Sequence, residues 1–201
     1  MEEYTPDNRA REAKEKEIEE LLTEFARELD ANLEVLRQLM GTYITLTPPL
    51  KPPYSIQYIA GAQLGKGGAI TRKPGNIRLN WRKLFELVPD VTIAGAGAAA
   101  ETWLIPFAAL YVWMKLWNVA TIELKEEDAF VICSLWRHRG QDNRIPEDEA
   151  FAKATALAKE NGLPILTKDR FSEILTKLAT LECIELKEGT IWLREWVRTT
   201  Y

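Results

Sequence analysis

Between Val91 and Val119 the chain carries two charges, Glu101 and Lys115. An apolar run of that length must either enter a bilayer or lie at the centre of a core, and everything else in the fold has to accommodate it. Its most apolar part, Thr102 to Ile122, is long enough to span a membrane. Trp103, Trp113 and Trp117 could serve there as interface anchors. Pro106, Asn118 and Lys115 oppose insertion, the lysine alone by about 2.5–3.5 kcal/mol at mid-bilayer. A helix apolar on all sides equally suits the buried centre of a globular domain. That is the reading the sequence favours, and membrane association is not expected.

A partner for such a helix lies upstream. Ile18, Leu21, Leu22, Phe25, Leu29, Leu33, Leu36, Leu39 and Met40 recur mostly at spacings of three and four. They predict one amphipathic helix of roughly 30 residues, opened by Thr5-Pro6 and closed at Gly41. Its apolar stripe should pack on the buried helix, around Leu22, Phe25, Leu29 and Leu36. Residues 6–40 also offer a route to a protein partner or a homo-oligomer.

Charge is segregated. Residues 1–40 hold twelve acids and six bases, residues 41–118 three acids and eight bases, and residues 119–201 fifteen acids and twelve bases. From Gly41 to Phe85 there is no acid at all, while Lys51, Lys66, Arg72, Lys73, Arg78, Arg82 and Lys83 accumulate. Such asymmetry bears on partners rather than on fold. Four prolines make Thr45 to Pro53 a stiff connector. Strands are expected over Tyr54–Ala60 and Ile77–Leu79, and Asn80 should cap a short helix over Trp81 to Leu87.

Two glycine motifs fall short of nucleotide binding. Gly95-Ala-Gly97-Ala-Ala-Ala100 fits the dinucleotide fingerprint, but the segment lacks the flanking strands of a parallel sheet. Gly61-Ala-Gln-Leu-Gly65-Lys66-Gly67 has three residues between glycines where a phosphate loop needs four, and Gly67 replaces the Ser or Thr that would hold magnesium. His138 is the sole histidine, and Cys133 and Cys183 stand in separate apolar contexts. No Cys/His metal site can be assembled from them, and buried free thiols are expected. Glu126–Asp128 and Glu147–Glu149 are explained as acidic first turns of helices. Neither cofactor, metal nor catalytic residue is expected. The acidic, polar start Met1 to Asp7 shows no signal peptide, which predicts a cytoplasmic protein.

The last third has a more specific order. Thr121 to Asp128 reads as a short strand (Ala120 to Leu124) and a helix start, and the helix continues through Ala129 to His138. A second helix runs from Ile145-Pro146 to Gly162, and a third, capped by Thr167, carries Phe171, Ile174, Leu175, Leu178 and Leu181 at helical spacing. Cys183 to Val197 then gives two strands about the glycine turn at Gly189. A strand, three helices and a β-hairpin wing resemble the winged helix-turn-helix superfamily. The resemblance implies a winged-helix module over 119–201; with the helical domain that the apolar spacing predicts over 1–118, the expected fold is mostly α with small β elements (α+β).

It further implies that the third helix docks on DNA and the wing touches phosphates. The third helix offers Lys168, Asp169, Arg170, Ser172, Glu173, Thr176 and Lys177 on its polar side, and the wing tip is Lys187 to Thr190. The expected function is a nucleic-acid-associated, non-enzymatic regulator or accessory factor for DNA or RNA. Lys66, Arg72, Lys73, Arg78, Arg82 and Lys83 would be its main contacts, with Arg170 and Lys177 secondary, and Trp81 or Tyr58 could stack on a base. An adaptor or structural subunit, using the winged helix as a protein-interaction module, is the alternative.

Overall fold

The first helix is shorter than its apolar stripe. In the computed structural model, which describes residues 5–51, 76–87, 104–116 and 122–199, strand β1 (Thr5–Pro6) leads into α1 (Asn8–Glu28). Asp7 caps α1, its side chain accepting the Ala10 N–H at 3.2 Å. The single helix expected to run to Gly41 is in fact two. Asp30 adopts a left-handed φ of 52°, and the Ala31 N–H closes back on the Ala26 carbonyl at 2.9 Å. Asn32 then accepts the Glu34 N–H at 3.0 Å and opens α2 (Leu33–Tyr43). Asp and Asn tolerate this conformation and compete for backbone N–H groups. The Leu29-to-Leu33 spacing hides the break because it stays in helical phase. Gly41 lies inside α2 rather than ending it.

Strands β2 (Ile44–Leu46) and β3 (Leu50–Lys51) follow within the proline-rich stretch, and β3 pairs antiparallel with β1. Next come β4 (Ile77–Asn80) and α3 (Trp81–Leu87), with the Asn80 side chain accepting the Lys83 N–H at 2.9 Å. Helix α4 (Leu104–Leu116) is the described part of the apolar run. Ile105, Phe107 to Leu110, Val112 and Trp113 are all buried. Phe25 of α1 meets the Phe107 ring edge-on at 5.4 Å and the Tyr111 ring at 5.5 Å. The apolar stripe of α1 and the apolar helix α4 therefore cover one another. Among the described residues no helix is long and apolar enough to cross a membrane.

The chain continues with α5 (Glu126–His138), β5 (Arg144–Pro146), α6 (Glu147–Glu160), α7 (Lys168–Thr180), β6 (Ile184–Lys187), β7 (Thr190–Leu193) and β8 (Trp196–Thr199). Thr167 caps α7, accepting the Arg170 N–H at 3.2 Å. Strands β6 and β7 form a hairpin in which Lys187 faces Thr190. Glu188 and Gly189 both have positive φ, as a two-residue turn of this hand requires. β5 adds to the other side of β7, giving the antiparallel order β5-β7-β6.

Two strand expectations need correction. Residues 122–125 are not strand. Ile122 and Leu124 are half-buried against the core, so their alternation is satisfied without a neighbouring strand to pair with. The closing segment also does not run on to Val197 as one hairpin arm. The β6–β7 hairpin ends near Arg194, whose N–H reaches the Cys183 carbonyl at 3.0 Å. β8 then leaves to pair antiparallel with β4, Leu79 opposite Val197, in a second sheet of order β2-β4-β8.

Of the described residues 61% are helical and 17% are strand, so the fold is α+β with helix predominant. One hydrophobic cluster runs through α1, α4, α5, α7 and both three-stranded sheets. Trp113 shows the continuity: it is fully buried in α4, and its indole N–H donates to the Leu181 carbonyl at the end of α7, 2.8 Å away. Packing is thus continuous between the parts before and after residue 118, where the sequence divides the chain.

Candidate nucleic-acid interface

The expected cations fall into two groups once their partners are known. Helix α7 buries Phe171, Ile174, Leu175 and Leu178, which turns Arg170 and Lys177 toward α5. Arg170 donates to Glu127 at 2.8 Å and pairs with Glu173 at 2.6 Å. The hydrogen bond to Glu173, then that to Glu127, hold its guanidinium further above its already high ordinary pKa. Glu173 is correspondingly held below the usual carboxylate range by Arg170. Lys177 donates to the Glu123 carbonyl at 3.0 Å and lies 3.4 Å from the carboxylate of Asp128.

Asp128 is fully buried at the first turn of α5, where it also accepts the Lys125 N–H at 2.6 Å. Burial raises its pKa despite that hydrogen bond and the nearby Lys177 and Arg170. Lys168 has a carboxylate partner as well, Asp148 at 3.1 Å. The residues of α7 left exposed are Lys168, Asp169, Ser172, Glu173, Thr176 and Thr180. That face is hydroxylic and acidic, and its cations are already engaged within the fold.

Arg82 resembles this first group. Its guanidinium meets Glu86 at 2.7 Å and Glu195 at 3.1 Å, and the Glu86 hydrogen bond raises its pKa most. Lys66, Arg72, Lys73 and Tyr58 lie outside the described residues, as do both glycine motifs. Trp81 is fully buried rather than free to stack on a base.

Arg78 and Lys83 differ. Both are exposed, and among the described residues neither has a carboxylate within 4.0 Å. On β4 the side chains alternate, Ile77 and Leu79 buried, Arg78 exposed. In register with Arg78 stand Thr45 of β2 and Arg198 of β8, both exposed. Trp196 and Asn80, two residues further along, lie on the same face because strand side chains repeat every two residues. Trp196 is 48% exposed, and the Arg198 guanidinium sits 4.0 Å from its ring centre. Arg198 and Trp196 were not among the residues the sequence singled out. Their alternation marks them as outward-facing, but nothing local says that β8 will land beside β4.

The remaining candidates are structural. His138 keeps Nδ1 2.9 Å from the Ser134 carbonyl of its own helix. Cys183 is buried and Cys133 half-buried, and burial pushes both thiols well above their ordinary pKa. No protein-family model, no curated protein and no solved structure matches the chain.

Proposed function

We propose that the protein is a nucleic-acid-associated, non-enzymatic factor with a winged-helix-like C-terminal unit. The order α5–β5–α6–α7–β6–β7, with β7 between β5 and β6 and a two-residue turn at the tip, supports the winged-helix reading. The observation that carries the functional reading is the contrast among cations. Those of α7 are tied to carboxylates, while Arg78 and Lys83, at the end of a 45-residue stretch without an acid, have none within reach among the described residues. Phosphate neutralisation supplies most non-specific affinity for nucleic acid, so contact is expected at β4 and its flanking basic segment rather than at α7. Binding of labelled DNA and RNA, followed by fluorescence anisotropy at two salt concentrations, tests this. Affinity should fall steeply with salt, and no binding at low salt would refute it.

One observation favours a second reading, a protein-interaction module. Ile165, between α6 and α7, is 86% exposed. It borders a cleft of about 350 Å³ lined also by Phe130, Leu163, Pro164 and Leu166. On that reading Ile165→Asp abolishes stoichiometric co-purification of a partner protein and leaves nucleic-acid affinity unchanged.

A further inference from the structure

We infer that the open face of the β2–β4–β8 sheet binds single-stranded nucleic acid, with Arg78 and Arg198 on the phosphate backbone and the Trp196 ring against an unpaired base. This rests on the nucleic-acid reading above and names its ligand class and residues. Like charges directly opposite one another across an antiparallel pair are destabilising. Arg78 and Arg198 occupy such a position, with no carboxylate within 4.0 Å among the described residues to offset them. Facing β-carbons in a pair lie about 4.5–5.5 Å apart. Two guanidinium groups on that footing can grip one phosphate from both sides or follow two neighbouring ones. A guanidinium offers several donors in a planar fork that suits phosphate oxygens.

The tryptophan selects the kind of nucleic acid. Its ring is half exposed beside Arg198, while Thr45 and Asn80 supply polar neighbours on the same face. A half-exposed ring whose described neighbours on this face are polar and cationic suits stacking on a base better than burial against an apolar protein surface or insertion into lipid. Base faces are accessible in a single strand and hidden in a duplex, so the ring contributes where bases are unpaired. The arginine over the ring holds it in place and adds a cation beside the stacked base. Both arginines and the tryptophan are exposed at the solvent face, so their replacement leaves the core intact.

The test uses the full chain with labelled oligothymidine, oligouridine and a duplex of equal length, at two salt concentrations. The single strands should bind more tightly than the duplex. Trp196→Ala should weaken single-strand binding about 5- to 150-fold, as expected when one base loses its stacking platform, with Trp196→Phe retaining most of the affinity. Arg78→Ala with Arg198→Ala should reduce the slope of log K against log salt by about 0.7 for each phosphate no longer neutralised. Thermal melts of each variant show that it is folded. If wild-type protein binds but these variants bind equally well, the site is overturned and the broader reading stands. If duplex and single strand bind alike, with Trp196→Ala silent, the single-strand assignment is overturned. Absence of binding to any of the three overturns both.

Discussion

Helix α7 and the β4–β8 strand pair each bring cations to the surface, with opposite electrostatic consequences. On α7, Arg170 and Lys177 reach across to Glu127 and Asp128 of α5 and also meet Glu173 of their own helix. They join two helices. On β4 and β8, Arg78 and Arg198 are placed side by side with no acid at hand among the described residues. Neither forms an ion pair among the described residues, and the two repel each other. A basic residue count treats these two regions alike. The difference is that charges paired with carboxylates contribute to folding and are less available to a ligand, whereas opposed ones without a carboxylate among the described residues weaken folding and leave their hydrogen-bonding capacity to whatever binds.

Substitutions in the two regions have different expected consequences. Phe171 is 1% exposed, with its ring 5.5 Å from Phe151. Phe171→Ala should destabilise the protein by about 3–5 kcal/mol in urea unfolding, because it opens a cavity beneath α7. A cost near zero would show that α7 does not anchor the core through Phe171. Lys177→Met keeps the apolar stem and removes the ammonium. It leaves the buried Asp128 carboxylate without its lysine, which should cost about 1–3 kcal/mol. Nucleic-acid affinity and its salt slope should not change, and a flattened slope would move Lys177 into the binding group.

Arg78→Thr has the opposite expectation. It removes the like-charge pair and sets a threonine beside Thr45, so stability should rise by about 0.2–1 kcal/mol while binding weakens. A loss of stability would mean that the arginine is structurally partnered after all. The smallest effect is one of pH. Asp128 titrates above its ordinary 3.8 because burial outweighs Lys125, Lys177 and Arg170. A carboxyl raised on folding keeps a proton that the unfolded chain has released. It therefore favours the fold at low pH, and that contribution is lost as pH rises from 3.8 through the raised value. The stability difference between wild type and Asp128→Asn should drift toward the variant across that window, and a drift the other way would show that the ion pair with Lys177 dominates.

Much of the fold was legible because it is local. The Asn80 and Thr167 caps, the Glu188-Gly189 turn and the apolar face of α7 each depend on residues a few positions apart. The break at Asp30 was missed because helical spacing continued through it, and the strand expected near Ile122 was misplaced because alternation reports exposure rather than pairing. Of the three contacts proposed on the sheet, Arg78 alone was legible, in the same limited sense. Arg78 stood out within an acid-free run, but Arg170 and Lys177 could not be set aside without knowing that α5 would face them.

What the sequence alone determined is which residues seek burial and where helices and turns begin. Apolar periodicity and capping chemistry act over one or two turns of chain, so α4 had to be covered and the amphipathic stripe of residues 18–36 was able to cover it. Which charges are neutralised was decided only in the tertiary structure. An ion pair needs its partners within about 4 Å, and the partners here come from segments 43, 49 and 113 residues apart. Arg198 and Trp196 meet Arg78 and Asn80 for the same reason: β8 pairs with a strand more than a hundred residues earlier, and register across that separation is set by the shared burial of Leu79 and Val197 against one core.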